Sequence, residues 1–125
     1  MRLLLDTNAM LWAFSGSPRI KPVAELLLAD DTNVFVSAVS FWEAAIKIRI
    51  GKLNSDVLEL RRAAQISGFL ELPLLAAHAE VLATLPRHHN DPFDHMLLAQ
   101  AISEPMRLVT GDRALSAYTS LVMQI

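Results

Sequence analysis

Short apolar segments that alternate with helical segments most strongly constrain the fold of this sequence. The run Leu3–Leu5 has no polar face, as expected for a strand that is buried on both sides of a sheet. Strands that alternate with helices favour a parallel sheet covered by helices on both faces. The sequence therefore predicts one α/β domain over residues 1–125. The predicted strands are Arg2–Leu5, Val34–Ser37, Phe69–Leu72, Arg107–Thr110 and Leu121–Gln124.

Capping and breaking residues mark the helices between these strands. Ser, Thr, Asp and Asn favour helix starts, whereas Gly and Pro favour helix ends. Ser55 is the candidate N-cap of the fourth helix. The predicted helices run from Thr7 or Asn8 to about Phe14, over about Pro22–Ala29, from Ser37 or Ser40 to about Ile50, and over Asp56–Ser67, Ala76–Leu85, Pro92–Ser103 and about Arg113–Ala117.

Acidic residues occur where the predicted strands and helices meet. Asp6 directly follows the first strand, and Asp112 lies two residues after the fourth. Glu43 lies in the helix after the second strand, and Asp94 opens the helix before the fourth. Because ligands of parallel sheets bind beyond the carboxyl ends of the strands, these segments are expected to bring their carboxylates to one edge of the sheet.

The segment Asn90–Ala101, NDPFDHMLLAQA, contains two acids at the start of an apolar helix. Asp91 suits the N-cap and Pro92 the first helical position. Asp94 shares a helix face with Leu97 and Leu98, and that face is expected to point towards the core. Capping alone does not require a carboxylate at the head of a buried stripe.

Each acid also has a purely structural interpretation. Asp6 could cap the first helix, Ser40 and Glu43 fit a capping box, and Asp112 could be a turn residue. Together these interpretations weaken, because an unpaired charge at the end of a buried strand is costly and neighbouring carboxylates repel one another.

A divalent cation removes that repulsion. Oxygen ligands favour Mg²⁺ or Mn²⁺ over zinc. Two such ions about 4 Å apart can activate water and stabilise the attacking and leaving oxygens of a phosphodiester.

Composition sets limits on the function. The formal charge of −2 argues against a simple polyanion-binding protein. Without the five acids named above, however, the chain has 8 acidic and 11 basic residues. If metal ions neutralise those five acids, the remaining charge is mildly positive and is compatible with nucleic-acid binding. There is no cysteine, so disulfides and thiolate metal sites are excluded. No uncharged run reaches the roughly 20 residues of a membrane span, and Asp6 interrupts the N-terminal apolar run too early for a secretory signal. A cytoplasmic protein is expected.

Other candidate residues have two interpretations each. His88 and His89 are surface loop residues or contacts to phosphate. Trp12 and Trp42, with Phe41, are expected in the core or at a subunit interface, and base stacking is the less favoured use. Lys47, on the same helix as Glu43, belongs either to a solvated face or to a nucleic-acid contact.

Four segments together resemble the PIN-domain family, and within it the VapC toxins of bacterial toxin–antitoxin pairs. The segment LPRHHNDPFDHMLLAQA (85–101) is the most specific of the four, because it is close to the family's HH-x-DPFD block. The other segments are LLLDTNAMLWAF (3–14), VSAVSFWEAAIKIRIGKL (36–53) and LVTGDRAL (108–115).

This resemblance implies a metal-dependent endoribonuclease that uses one or two Mg²⁺ or Mn²⁺ ions per site. Asp6, Glu43 and Asp94 take the places of the central metal-binding acids, and Asp112 takes that of the fourth. For Asp91, capping and a role in the outer shell of the metal are both open. The resemblance further implies a five-stranded sheet in the order 3-2-1-4-5, a homodimer and a small VapB-like antitoxin partner.

The sequence departs from the family near the site, and two other functions are to be weighed. Asn90 and His95 stand where many relatives have arginine, so fewer bases are available to contact RNA. One alternative is a catalytically weak PIN domain that binds RNA or protein. A phospho-receiver domain is less favoured, because the third strand ends in Leu72-Pro73 rather than an acceptor Asp, and no lysine follows Lys52.

Overall fold

The computed structural model describes residues 1–87 and 90–125. Five parallel strands form one sheet in the order β3-β2-β1-β4-β5, which confirms the predicted α/β fold and strand order. The first strand therefore lies at the centre and the third and fifth lie at the edges. The strands are β1 Arg2–Leu5, β2 Asn33–Ser37, β3 Leu70–Leu72, β4 Arg107–Thr110 and β5 Val122–Gln124.

Strand β1 forms the middle of two cores. Leu3, Leu4 and Leu5 are all fully buried. Because successive side chains of a strand point to opposite faces, Leu3 and Leu5 pack in one hydrophobic cluster and Leu4 packs in the other. This explains why the run has no polar position.

Helices cover both faces of the sheet, and none of those described is both long enough and apolar enough to span a bilayer. Residues Pro18–Val23 and Arg113–Ala117 form short 3-10 helices. The α-helices are α1 Thr7–Ser15, α2 Ala24–Leu28, α3 Ala38–Arg49, α4 Val57–Ile66, α5 Ala76–Leu82 and α6 Pro92–Ser103.

The helix caps show which of several neighbouring polar residues the fold uses. Asp6 caps α1, as its structural interpretation proposed, by accepting a hydrogen bond from the amide of Ala9, and Thr7 and Asn8 lie inside the helix. Of the two predicted starts of α3, Ser37 is the cap, so Ser40 lies inside the helix and the capping box predicted for Ser40 and Glu43 is wrong. Asp56, rather than Ser55, caps α4. Neighbouring polar residues can all form caps, and tertiary packing selects among them.

The second predicted helix is divided in two. A 3-10 helix precedes α2, and Pro22 lies inside it. Proline has no amide hydrogen to donate to an α-helical bond and clashes with the preceding turn. The regular α-helix therefore starts only after it.

Candidate functional site

Asp6 is held rigidly at the carboxyl end of the central strand. Its amide donates to the carbonyl of Val109 on β4 at 3.0 Å. One carboxylate oxygen, Oδ1, accepts the amide of Ala9 at 2.7 Å, and the other, Oδ2, accepts the hydroxyl of Thr110 at 2.6 Å. Only 4% of the residue is exposed. Asp6 is thus both a helix cap and a fixed, nearly buried carboxylate.

Burial raises the pKa of Asp6 above that of an ordinary aspartate. The hydrogen bonds from Thr110 and Ala9 oppose this effect, and the nearby charges of Glu43 and Asp112 add to it. The carboxylates therefore interact electrostatically, as expected for acids gathered at one edge of the sheet. A cation placed among them would favour the ionised form of Asp6.

Thr110 couples Asp6 to Asp112. Its oxygen Oγ1 accepts the amide of Asp112 at 3.0 Å while its hydroxyl donates to Asp6. Asp112 in turn caps the second 3-10 helix, accepting the amide of Ala114 at 2.9 Å. The turn-forming role expected for Asp112 is present, and it sets the position of this carboxylate next to Asp6.

Glu43 projects from α3 and is 6% exposed. Its oxygen Oε2 lies 2.9 Å from the ammonium group of Lys47, one helical turn away. Its other oxygen, Oε1, is buried and has no hydrogen-bond partner among the described residues. Since buried oxygens are normally paired, this oxygen requires a ligand or water to satisfy it.

Helix α6 supplies the remaining acids. Asp91 caps the helix, with Oδ1 accepting the amides of Phe93 at 2.9 Å and Asp94 at 3.2 Å. This confirms the predicted cap. Leu97 and Leu98 are fully buried, as predicted from the face that they share with Asp94.

The acids meet at an open polar pocket of about 250 Å³. Three of the four predicted ligands line it, and Glu43 lies close enough to affect the pKa of Asp6 but is not part of the wall. The lining residues are Asp6, Asn8, Trp12, Arg19, Asp94, Gly111 and Asp112.

The pocket has the donor chemistry of a hard-cation site but is not preassembled as one. Within residues 1–87 and 90–125, no three His, Asp or Glu side chains converge closely enough to hold an ion as they stand. Carboxylate oxygens are nevertheless the ligands that Mg²⁺ and Mn²⁺ prefer, and the orphaned Oε1 of Glu43 has the lone pairs to offer. The donor set thus fits a divalent cation with water completing its shell.

Arg19 is the pocket residue that sequence reasoning missed. Its guanidinium stacks over the ring of Trp12, with Cζ 4.3 Å from the ring centroid. Both side chains lie against Gly111, where an added Cβ would come within 2.8 Å of Trp12 and 3.0 Å of Arg19. The sequence signal was limited to the glycine of TGDR, because Gly111 lies far along the chain from the two residues that stack against it.

The other predicted candidates have mixed outcomes. Phe41 is buried, as expected for a core residue, but Trp42 is 56% exposed and makes an edge contact with Phe93. Trp42 is therefore not a core residue. His95 bonds to the hydroxyl of Tyr118 at 2.9 Å. The predictions for His88 and His89 lie outside the described residues.

Solved structures share this fold at low sequence identity. The chain aligns with the VapBC2 complex of Rickettsia felis bound to a promoter DNA fragment at a TM-score of 0.74 and 16% identity, covering 100% of this chain and 98% of that one. It aligns with a toxin–antitoxin complex from Klebsiella pneumoniae at a TM-score of 0.68 and 21% identity, covering 98% and 99%. FitAcB from Neisseria gonorrhoeae gives 0.62 and 21%, covering 90% and 89%. At such identities the likeness concerns the fold.

Sequence comparison gives the family. No curated protein matches the chain. The family model for the PIN domain matches residues 3–121, which include all the acids described above. The chain therefore belongs to the PIN-domain family.

Proposed function

We propose that residues 1–125 form one PIN domain that acts as a Mg²⁺- or Mn²⁺-dependent endoribonuclease. The observation that carries this proposal is the convergence of Asp6, Asp94 and Asp112 on one pocket, with the orphaned carboxylate oxygen of Glu43 close by. Four segments of the chain thus bring oxygen ligands to one place. The chain has no cysteine, so a cysteine nucleophile and a thiolate metal site are both excluded as alternatives.

The four acids have the task of holding the cation. Asp6 is fixed by hydrogen bonds from Thr110 and from the start of α1, so its side chain loses little conformational entropy when a ligand binds. When bound, a divalent ion supplies the positive charge that makes water a better nucleophile and offsets the charge on the phosphate. The acids also exclude RNA from the pocket until a cation neutralises them, because polyanions and carboxylates repel each other.

Asp91 supports the site from outside the pocket wall. Its two hydrogen bonds to the first turn of α6 hold Asp94 in place. We assign Asp91 a capping role, with metal binding as the alternative.

A direct test measures the cleavage of a single-stranded RNA by the purified protein. Cleavage is expected with Mg²⁺ or Mn²⁺, absent with EDTA, and absent in Asp94→Asn. Attack by water on the phosphodiester is expected to leave 5′-phosphate and 3′-hydroxyl ends. Cleavage that persists in EDTA, or that leaves 2′,3′-cyclic phosphates, would show a different chemistry.

We further propose that the protein is the toxin of a VapBC-type pair, active in the cytoplasm as a homodimer and silenced by a small VapB-like antitoxin. The support is that the similar structures from Rickettsia felis and Klebsiella pneumoniae are toxin–antitoxin complexes. An apolar groove of about 380 Å³ offers a docking place for an amphipathic segment. Its walls are Leu11, Trp12, Phe14, Ser15, Leu53, Asn54, Ser55 and Leu60. Co-purification of the chain with the product of a small neighbouring reading frame is the test.

One observation favours a second candidate, a catalytically weak PIN domain that binds RNA or protein. Among the described residues, the acids do not converge closely enough to hold an ion without rearrangement. On this alternative, RNA binds with or without metal and is never cut. The cleavage test above separates the two functions.

A further inference from the structure

We propose that Arg19 is an RNA-phosphate contact of the active site, a role that rests on the proposed nuclease function. Arg19 lines the same pocket as Asp6, Asp94 and Asp112. It lies at the start of a 3-10 helix on which no acidic residue occurs. The pocket wall therefore contains one positively charged side chain, that of Arg19, among the negatively charged carboxylates.

Aromatic stacking, rather than an ion pair, holds this guanidinium in place. Cζ of Arg19 lies 4.3 Å above the centroid of Trp12, which is the geometry of a cation–π contact. Among the ion pairs of the described residues, which include those of Arg2, Lys47 and Arg61, none involves Arg19. Stacking uses the face of the planar group and leaves its N–H donors at the edge available to an anion.

Gly111 makes the stack possible. Any side chain at this position would place its first carbon 2.8 Å from Trp12 and 3.0 Å from Arg19. Gly111 directly precedes Asp112 and follows Thr110, so the same turn that positions the acids also makes room for the guanidinium. The position of the Arg19 guanidinium is thus linked to the positions of the carboxylates through one turn.

The stacked guanidinium beside the acids suits a polyanionic substrate. A cation held by the carboxylates would bind phosphate from one side, and a planar arginine fork can bind phosphate oxygens from another. With Trp12 covered by Arg19, its stacked face is not free to stack on a base. The recognised group is therefore the backbone phosphate, which makes the contact independent of RNA sequence.

The experiment compares Arg19→Gln with Lys21→Gln, which removes an equal charge from an exposed position on the same 3-10 helix. Cleavage rates are measured with Mn²⁺, and binding of a labelled 12-nucleotide RNA is measured with Ca²⁺ at several salt concentrations. For Arg19→Gln, kcat/KM is expected to fall on the order of 10- to 100-fold, as for the loss of one charged hydrogen bond. The slope of log affinity against log salt is expected to become shallower by about 0.7, the value for one phosphate contact on single strands.

Two further variants separate contact from folding. Gly111→Ala is expected to reproduce the loss of activity without removing a charge, and Arg19→Lys is expected to recover part of the salt slope. Melting temperatures measured for each variant show whether the fold is kept. A purely structural Arg19 would change the melting temperature and leave the salt slope as it is.

Each outcome decides between the two proposals. If the wild type cuts RNA and Arg19→Gln behaves like Lys21→Gln in both rate and slope, the phosphate contact is wrong and the nuclease function stands. If the wild type never cuts RNA but the slope still depends on Arg19, the nuclease proposal fails and the contact stands. If RNA is neither cut nor bound, both are wrong.

Discussion

Thr110 donates its hydroxyl hydrogen to Asp6 Oδ2 over 2.6 Å, although the two residues lie 104 positions apart in the chain. The same hydroxyl oxygen accepts the amide of Asp112. One buried side chain thus links the central strand β1, the end of β4 and two of the acids. The arrangement of the site depends on this link.

Replacing Thr110 with valine tests this link. Thr110→Val removes the hydroxyl, so a buried carboxylate oxygen loses its donor and the amide of Asp112 loses its acceptor. The free energy of unfolding, measured in urea, is expected to fall by about 1–3 kcal/mol, and RNA cleavage is expected to fall with it. Thr110→Ser keeps the hydroxyl and serves as the matched control. Equal stability and activity of the two variants would show that the link is unimportant.

The raised pKa of Asp6 predicts a pH-dependent stability. Because the pKa is higher in the folded state, the folded protein binds more protons than the unfolded chain between the ordinary aspartate pKa and the raised one. The stability that this group contributes is therefore lost as the pH rises through that window. Above that window and without metal, the ionised carboxylate costs stability.

Asp6→Asn is accordingly expected to melt at the same temperature as the wild type or higher in EDTA at pH 7, while RNA cleavage is abolished. The difference in melting temperature should shrink as the pH falls towards the ordinary aspartate range. Asp30→Asn, at an exposed turn, is the control for the loss of a negative charge. A large destabilisation by Asp6→Asn at neutral pH would mean that the cap matters more than the charge.

Asp91 and Asp94 are expected to differ in their responses to substitution. Serine caps nearly as well as aspartate, so Asp91→Ser should keep most of the helix stability, whereas Asp91→Ala should lose about 1 kcal/mol. Asp94→Asn should keep the fold and lose cleavage. Urea unfolding and cleavage rates of the three variants are to be compared. If Asp91→Ser is folded and as inactive as Asp94→Asn, Asp91 binds the metal and the assigned roles are wrong.

The ion pair between Glu43 and Lys47 gives a prediction about metal-free stability. Lys47→Met removes the ammonium group 2.9 Å from Glu43, so the buried carboxylate is left to repel Asp6. The melting temperature in EDTA is expected to fall, and Mn²⁺ is expected to restore part of it. Adding Glu43→Gln to Lys47→Met should restore stability without metal. Arg49→Met, on an exposed part of the same helix, controls for the lost charge.

Much of the fold could be predicted because its signals are local. The run Leu3–Leu5 lacks a polar position because β1 is buried on both faces, and Pro92 with Asp91 marks the start of α6 unambiguously. Caps were less predictable where polar residues stand side by side, as at Ser55 and Asp56. The order of the strands followed from family resemblance rather than from the residues themselves.

The sequence predicted that acids gather at one edge of the sheet, but it did not predict the contacts that position the side chains of the pocket. Asp6 and Asp112 stand next to strand ends, where local sequence reveals them. The stack of Arg19 on Trp12 depends on tertiary contacts through Gly111, which no local pattern encodes. The pair formed by Glu43 and Lys47 had the four-residue spacing of a helical ion pair, but this spacing is equally common on solvated faces.

Calorimetric titration of the purified protein with Mn²⁺ shows whether the acids of this pocket hold a divalent cation. We expect saturable binding of one or two ions, weakened by about 10-fold or more in Asp6→Asn, Glu43→Gln and Asp94→Asn. Binding should be unchanged in the exposed control Asp30→Asn. Equal affinity in all the variants, or no binding by the wild type at millimolar Mn²⁺, would mean that these acids do not form a metal site.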